Sequence, residues 1–150
     1  MKYQVVKTYG HHEGMSCTFR QWRADHSHCH YIHGYAIGVE LTFECQDLDS
    51  REWCLDFGSL GPIKEWLKSM FDHKTLVAED DPHIDDLMHM AHLGLMDVVY
   101  VPAVGCEKFA EMIYARVKDW LDRGPEAARV ILRSVRVSEH SGNSALYVAD

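Results

Sequence analysis

Positive charge is scarce in this sequence, and that argues against a general nucleic-acid surface. The 150 residues include 15 Lys and Arg against 23 Asp and Glu, which gives a formal net charge of -8. A phosphate backbone is bound by clustered Lys and Arg, which an acidic chain does not favour. We therefore expect no nucleic-acid partner, and an anionic small substrate would need a local positive pocket.

Long apolar runs and paired cysteines are also absent. No apolar run approaches the ~18 residues that span a bilayer, and the opening segment MKYQVVKTYGHHEG lacks the apolar stretch of a secretory signal. The five cysteines are an odd number without a CxxC pair, which argues against a disulfide framework. We expect a cytoplasmic protein with reduced thiols and no membrane partner.

The chain has no internal repeat, low-complexity tract or linker, so we treat residues 1–150 as one domain. Tyr35–Glu44 alternates apolar and polar residues, as a strand with one buried face does. The other predicted elements are a strand at Ser16–Ala24, extended pieces at Trp53–Phe57 and Val98–Val101, helices at Ser59–Met70, Pro82–Ala91 and Cys106–Leu121, and a hairpin of Val130–Glu139 with Ser144–Val148.

This order of elements, β-β followed by helices and then β-β, predicts an α+β fold. A sheet of this size leaves unpaired edges, and such edges invite pairing with neighbouring subunits. We therefore expect self-association.

Four histidines fall within eight residues, at His26, His28, His30 and His33. Neutral imidazole is a good ligand for Zn²⁺, so the cluster indicates a metal or active site, although each histidine alone is more typical of a polar surface. Cys29 lies inside the cluster. A thiol beside imidazoles is a candidate base or nucleophile, and the alternative is a passive buried thiol.

Two further positions suggest acid–base chemistry or ligand binding. Asp72 precedes His73, and a carboxylate beside an imidazole can orient it for proton transfer, although such pairs are common. Glu139 shares its strand face with apolar residues, so its carboxylate requires a partner. A guanidine-like edge with two N–H donors would match it; a salt bridge to Arg133 or Arg136 is the alternative.

The chain resembles the 6-pyruvoyltetrahydropterin synthase and 6-carboxytetrahydropterin synthase family from about Phe19 to Tyr147. The family's Cys-x-x-x-His-Gly-His, Asp-Phe-x-x-Leu, Leu-Asp-His-x-x-Leu, Thr-x-Glu-Asn and Val-x-Glu-Thr motifs are similar, in order, to the segments Cys29–Tyr35, Asp56–Leu60, Phe71–Leu76, Gly105–Lys108 and Val137–His140. Each match is modest, but five in order at compatible spacing make a strong case.

The resemblance implies the tunnelling fold (T-fold), ββααββ, with helices on one face of an antiparallel sheet and homo-oligomers, hexamers or tetramers, that form a barrel. It also implies a lyase that converts 7,8-dihydroneopterin triphosphate into 6-carboxytetrahydropterin for 7-deazaguanine (queuosine) synthesis. The pyruvoyl-type product is the other activity in the family.

Site roles follow from the resemblance by position. Cys29 would be the general base, and Asp72 with His73 would form the relay that protonates the opposite face. Glu139 would bind the 2-amino and N3 edge of the pterin, with Cys106 and Glu107 nearby. The charges of Arg20, Arg23 and Lys74 make them candidates for contacts to the triphosphate.

The family's zinc-binding motif is altered here. The family holds Zn²⁺ with three histidines, and two of those positions correspond to Arg23 and Tyr35 in this chain. Either His28 or His26 replaces the missing ligands, or zinc is gone and Arg23 supplies the positive charge. We predict a retained Zn²⁺ with His28 and His33 as ligands.

Two further departures bear on function. The stretch from about Glu79 to Val101 is longer than is usual in the family, which predicts an added helix near the site, and Gly105 replaces a threonine. Besides the carboxy-type synthase, two hypotheses stay open: a related enzyme with altered chemistry that lacks the zinc triad, and a non-catalytic pterin-binding subunit.

Overall fold

A computed structural model describes residues 1–150. The chain forms eight strands and three α-helices. In chain order these are β1 (Tyr3–Tyr9), β2 (Ser16–Phe19), β3 (His33–Ala36), β4 (Gly38–Cys45), α1 (Gly61–Phe71), β5 (Lys74–Ala78), α2 (Ile84–His92), β6 (Asp97–Val101), α3 (Cys106–Asp122), β7 (Val130–His140) and β8 (Asn143–Val148).

The first sheet is antiparallel, with strand order β1-β4-β7-β8. Along β4 the alternate residues Val39, Leu41 and Phe43 are buried, which confirms the predicted alternation. Burial of each such side chain is worth about 1.5–3 kcal/mol, so this face fixes which side of the strand meets the core.

The second sheet is mixed, with order β3-β2-β5-β6. β2 pairs antiparallel with β3 and parallel with β5, and β5 pairs parallel with β6 through the crossover that contains α2. Ile37 separates β3 from β4 and donates its backbone N–H to Met15 O at 3.2 Å. The predicted strand Tyr35–Glu44 is therefore two strands, one in each sheet.

The three predicted helices are confirmed, with ends within two residues of the predicted ones. Two strands were not predicted. β5 is buried over residues 75–78, so it shows no alternation of apolar and polar residues. β1 is an edge strand with mostly exposed or half-buried residues. Trp53–Phe57, predicted to be extended, forms no strand, because the Arg129 guanidinium binds the carbonyl oxygens of Trp53 and Cys54.

One core joins both sheets to the helices. It contains 29 buried residues, and α3 packs against β7 and β8. The Phe109 ring of α3 makes edge contacts with Phe19 of β2, at 5.1 Å between centroids, and with Phe71 of α1, at 5.4 Å. These elements confirm the α+β T-fold. None of the helices is long and apolar enough to cross a membrane.

Candidate functional site

β3 lies close against β2 and carries the first part of the site. Phe19 pairs with His33, and Cys17 pairs with Tyr35. A Cβ at Gly34 would lie 2.7 Å from the backbone oxygen of Cys17, so the pairing requires glycine here. The motif glycine therefore lets the two strands approach, and this sets the positions of the two flanking side chains.

Tyr35 is the centre of an aromatic cluster at this end of the hairpin. Its ring lies 5.3 Å from His33, 6.1 Å from Phe19 and 6.3 Å from His140. Burial, followed by the nearby Glu139, raises the pKa of the Tyr35 phenol. The phenol is therefore a neutral hydrogen-bond donor at physiological pH.

Two thiols, Cys29 and Cys106, add to the effect of burial and Glu139 in raising the pKa of the Tyr35 phenol. Burial raises the pKa of Cys106 to about 12, with Glu139 and Glu107 adding to the effect. Cys106 is therefore a neutral buried thiol beneath the site, and Glu107 is exposed on the first turn of α3.

Glu139 lies where the pairing of β7 with β8 is irregular, between Ser138 and His140. Such bulges change the direction of a side chain. Arg136 pairs instead with Glu40, at 3.6 Å, and no Lys or Arg forms a salt bridge with Glu139. Its carboxylate is therefore available to a ligand.

Cys29 is exposed on a short 3₁₀ turn, His28–His30. Its backbone N–H donates to Ser27 Oγ at 3.3 Å, and its backbone oxygen accepts from Gln21 N at 2.9 Å. The turn is thus held from both sides while the thiol stays accessible. A thiol of this kind can take part in proton transfer with a bound molecule.

The neighbouring histidines pack on Tyr31. The His30 ring stacks on Tyr31 at 4.0 Å, and His28 lies 6.1 Å from the same ring. His33 donates from Nδ1 to Tyr31 O at 2.7 Å, which leaves its Nε2 free. His28 and His33 thus contact different parts of the loop rather than one common point.

The residues at this site do not fit a three-histidine zinc ion. No three His, Cys, Asp or Glu side chains stand together as a metal site. At the two altered positions, Arg23 is a cation and Tyr35 packs among aromatic rings. The Arg23 guanidinium binds Asp80 at 2.7 Å and lies 4.1 Å from the Trp22 ring. The predicted Zn²⁺ on His28 and His33 stays a prediction, without a third ligand.

Asp72 and His73 form a hydrogen-bonded pair after α1. His73 Nδ1 donates to Asp72 Oδ1 at 2.6 Å, and its side chain is 86% exposed. The backbone of His73 has φ 59°, and its N–H donates to Ser16 O at 2.7 Å. A left-handed conformation is uncommon for a residue other than glycine, and such strain clusters at functional positions.

The backbone of this pair and the loop that holds Cys29 adjoin opposite ends of the β2–β3 hairpin. His73 bonds to Ser16, which pairs with Ala36 at one end, while Phe19 pairs with His33 at the end where the loop with Cys29 begins and ends. The two ends are separated by about 10 Å along the strands. Tyr35 pairs with Cys17, so it lies one residue from the end where His73 is bonded.

The three cations predicted to contact a triphosphate are all paired with carboxylates. Arg20 Nε faces Asp81 Oδ2 at 2.9 Å, and Lys74 Nζ pairs with Asp97. Arg23 pairs with Asp80, as described above. Each of these side chains therefore has a carboxylate partner in the single chain, and their contact with a triphosphate stays a prediction. All three acids come from the long segment 79–101, whose predicted helix is α2.

Sequence reasoning missed two features of this region. The ring of His140 faces Tyr35, although nothing in the sequence marks it except its place beside Glu139. The acidic partners of the three cations were also missed. The available signal was the pair Asp80 and Asp81 directly after a buried strand. Their partners Arg23 and Arg20 lie 57 and 61 residues away in the sequence, so only the fold reveals these ion pairs.

The 6-pyruvoyl tetrahydropterin synthase family model matches residues 10–150. An uncharacterized protein from Wolinella succinogenes shares the fold with a TM-score of 0.85 and 19% identity, over 100% of this chain and 99% of that one. The Plasmodium falciparum 6-pyruvoyl tetrahydropterin synthase matches with a TM-score of 0.69 and 14% identity, over 97% of this chain and 96% of that one. The Caenorhabditis elegans 6-pyruvoyl tetrahydropterin synthase matches with a TM-score of 0.61 and 13% identity, over 100% of this chain and 96% of that one. No curated protein matches the sequence.

Proposed function

Because the chain belongs to the 6-pyruvoyl tetrahydropterin synthase family, we propose that it is a lyase that acts on the C6 side chain of a reduced pterin without a three-histidine zinc site. The observation that carries this proposal is that Tyr35 on β3 meets the Glu139–His140 end of β7, with the exposed Cys29 in the loop that leads into β3. An accessible thiol, a neutral phenol and an unpaired carboxylate are the groups that such a reaction needs.

Glu139 is the proposed anchor for the pterin ring. Its two oxygens accept hydrogen bonds from the 2-amino group and N3–H of the ligand, which present two donors side by side. The absence of a salt bridge to Glu139 supports this role, because the carboxylate has no competing cation.

Cys29 is the proposed base. Its turn is fixed by backbone hydrogen bonds, so the exposed thiol can be held against a bound side chain of the pterin. In its thiolate form it would remove a proton from carbon or hydroxyl of that side chain, and a positioned base of this kind accelerates a reaction by about 10²–10⁴. The Tyr35 phenol, which stays protonated, would donate a hydrogen bond to an oxygen of the same side chain.

Asp72 and His73 are proposed to serve the Cys29 site of a second copy. The exposure of His73, and the bonding of its backbone at the hairpin end away from the Cys29 loop, both support this arrangement. Edge strands β1 and β8 of the first sheet leave unpaired backbone groups where copies can join. We therefore propose a homo-oligomer, a hexamer or tetramer, in which the acid–imidazole pair of one protomer completes the site of its neighbour.

A more specific candidate is the reaction expected from the sequence. It is the conversion of 7,8-dihydroneopterin triphosphate into 6-carboxytetrahydropterin for 7-deazaguanine (queuosine) synthesis in the cytoplasm. The joint presence of Cys29, Asp72, His73 and Glu139 favours it. Arg23 and Tyr35 stand where the family has zinc-binding histidines, which favours the alternative of a related enzyme that lacks the zinc triad and has a different reaction.

The decisive experiment offers the purified protein 7,8-dihydroneopterin and, separately, its triphosphate. Chromatography identifies the pterin products, and a coupled assay measures released acetaldehyde, while zinc content is determined on the same sample. A shortened pterin side chain with either substrate supports the lyase, and acetaldehyde with 6-carboxytetrahydropterin identifies the specific candidate. Pterin binding with no turnover, unchanged in Cys29→Ala, would instead make the chain a non-catalytic binding subunit.

A further inference from the structure

The ring of His140 reaches the candidate site because the strand that carries it contains one extra residue. β7 and β8 pair regularly up to Ser138, and the pairing resumes at His140, so Glu139 between them has no partner on β8. In a regular strand His140 would point to the same side as Ser138, since successive side chains alternate. The bulge shifts this alternation by one residue, and the His140 ring lies 6.3 Å from the Tyr35 ring on β3.

Two contacts fix the His140 ring within the turn that joins β7 to β8. Nδ1 accepts the backbone N–H of Gly142 at 3.0 Å, and Nε2 faces the side-chain amide of Asn143 at 3.3 Å. An imidazole nitrogen that accepts a hydrogen bond carries no proton, so this geometry requires the neutral ring with its hydrogen on Nε2. Side chains that bond to the backbone two residues further along the chain stabilise tight turns.

Glycine at position 142 permits this contact. A Cβ at Gly142 would lie 3.0 Å from Cε1 and 3.2 Å from Nδ1 of His140, which is closer than ordinary packing. Any larger residue would therefore displace the ring from the backbone N–H that it accepts. The imidazole and the glycine together define the turn.

The turn also determines where the Glu139 carboxylate points. Glu139 has no partner on β8, so its direction depends on how the residues on either side of it are held. His140 is held by its strand pairing and by the hydrogen bond of its ring. Arg136, the closest Lys or Arg along the chain, pairs with Glu40 at 3.6 Å rather than with Glu139. The backbone of the bulge therefore positions this carboxylate, and no ion pair does.

Few charged groups surround this turn. Besides Glu139, the titratable residues on the neighbouring β3 and the start of α3 are Tyr35, His33, Cys106 and Glu107. Burial raises the pKa of the Tyr35 phenol and of the Cys106 thiol, so both stay neutral. His33 bonds through Nδ1 to Tyr31 O at 2.7 Å, away from the turn. A proton added to His140 would therefore place a cation next to the Glu139 carboxylate in the chain.

We propose that His140 is a positioning residue for the pterin anchor: its neutral ring closes the turn and keeps the Glu139 carboxylate open to the two N–H donors of a pterin. This inference rests on the proposed function. Protonation of His140 removes the acceptor at Nδ1 and adds a cation that competes with the ligand for Glu139. Pterin binding therefore weakens as the pH falls through the range in which imidazole gains a proton, about pH 7 to 5.

This pH dependence is a property of the chain rather than of the family motif. The motif Val-x-Glu-Thr has threonine where this chain has His140. A threonine hydroxyl can also bond to the backbone of a turn, but it does not titrate in this range.

The test compares the wild-type protein with His140→Asn. The asparagine oxygen can accept the same backbone N–H, but an amide gains no proton in this range. Each protein is titrated with 7,8-dihydroneopterin and with its triphosphate at about pH 7.5 and about pH 5.5, and fluorescence gives the Kd. His89→Asn, on an exposed position of α2, is the matched control for the loss of one imidazole. His140→Ala removes the acceptor altogether.

We expect the Kd of the wild type and of His89→Asn to rise about tenfold between the two pH values. His140→Asn should bind like the wild type at the higher pH and change by less than about twofold at the lower one. His140→Ala should bind about fivefold more weakly than the wild type at the higher pH. Because each ligand is the same for all proteins, its own titration cancels in these comparisons.

An equal pH dependence in the wild type and His140→Asn, or none in the wild type, overturns the inference and leaves the proposed function intact. So does His140→Ala that binds as tightly as the wild type at the higher pH. If His140→Ala does not fold, Gly142→Ala answers the same question, because it displaces the ring and keeps the imidazole. If the wild type binds neither compound at either pH, the proposed function itself fails.

Discussion

The two ends of the β2–β3 hairpin differ in how far neighbouring side chains enclose them. At the end where Phe19 pairs with His33, the rings of these two residues lie 5.3 Å apart, and His33 in turn contacts Tyr35 further along β3. At the end where Ser16 pairs with Ala36, the side chain of His73 is exposed and is hydrogen-bonded to Asp72. The first end is thus a packed aromatic cluster, while the second presents an exposed acid–imidazole pair.

This difference shows that the packed aromatic cluster and the exposed acid–imidazole pair are positioned by different means. Ring packing positions the side chains of the aromatic cluster. The left-handed backbone conformation of His73 sets the direction of its ring at the exposed end.

Loss of either reactive group should abolish most turnover. We expect Cys29→Ala and His73→Ala each to lower kcat about 1,000-fold, because each removes a proton-transfer group. If the two ends belong to one site across a subunit boundary, mixing the variants after dissociation and reassembly restores up to about a quarter of the sites. Steady-state kinetics of the mixture checks this.

No recovery from mixed Cys29→Ala and His73→Ala oligomers, with assembly shown by size-exclusion chromatography, would mean that the two ends do not share a site. A mixture of each variant with itself serves as the control for reassembly.

The Phe109 ring contacts Phe19, at one end of the β2–β3 hairpin, and Phe71, which directly precedes Asp72 in the chain. Phe109→Ala should lower the free energy of unfolding by about 3–4 kcal/mol, because the cavity would lie beneath both β2 and the end of α1. Urea unfolding measures this loss. The exposed Phe57→Ala is the matched control, with little expected change. Equal destabilisation by the two variants would show that Phe109 is not a shared support.

Removing the charge of Glu139 should weaken the binding of a reduced pterin without unfolding the protein. Glu139→Gln is expected to bind a reduced pterin roughly 100-fold more weakly, about 2.7 kcal/mol, because a charge-assisted hydrogen bond is replaced by a weaker one and the amide adds a donor. Fluorescence titration gives the Kd. Glu107→Gln, on the first turn of α3, is the control, and an equal loss there would remove the special role of Glu139.

The backbone strain at His73 can be separated from its ring. His73→Gly and His73→Ala both lose the imidazole, but only glycine occupies the left-handed region without cost. We expect the glycine variant to be more stable than the alanine variant by about 1 kcal/mol. Thermal unfolding compares them. Equal melting temperatures would indicate that the turn relaxes when the ring is removed.

The sequence predicts those parts of the fold that depend on local periodicity. The apolar stripe of α3 and the alternation of β4 have one buried side each, and both are confirmed. β5 is buried on both faces, so its short apolar run carried no such signal. The break at Ile37 depends on a hydrogen bond to Met15, which no local pattern reveals.

The candidate site likewise has residues that the sequence singles out and contacts that it does not reveal. Motif resemblance singled out Cys29 and Glu139, whose roles stay predictions, and the structure adds that the ring of His140, next to Glu139, lies 6.3 Å from Tyr35. It could not show that Arg20, Arg23 and Lys74 were already paired, because ion pairs between residues distant in sequence depend on how the chain folds back. Charge counted along a sequence does not say which charges are free.

The segment between β5 and β6 is a connection between two neighbouring parallel strands, and its helix α2 lies outside the stretches that hold Cys29, Tyr35 and Glu139. β6 is the edge of the second sheet, and β3 is the opposite edge. We therefore expect that a change in the length of the crossover beyond Asp81 leaves the β2–β3 hairpin unchanged.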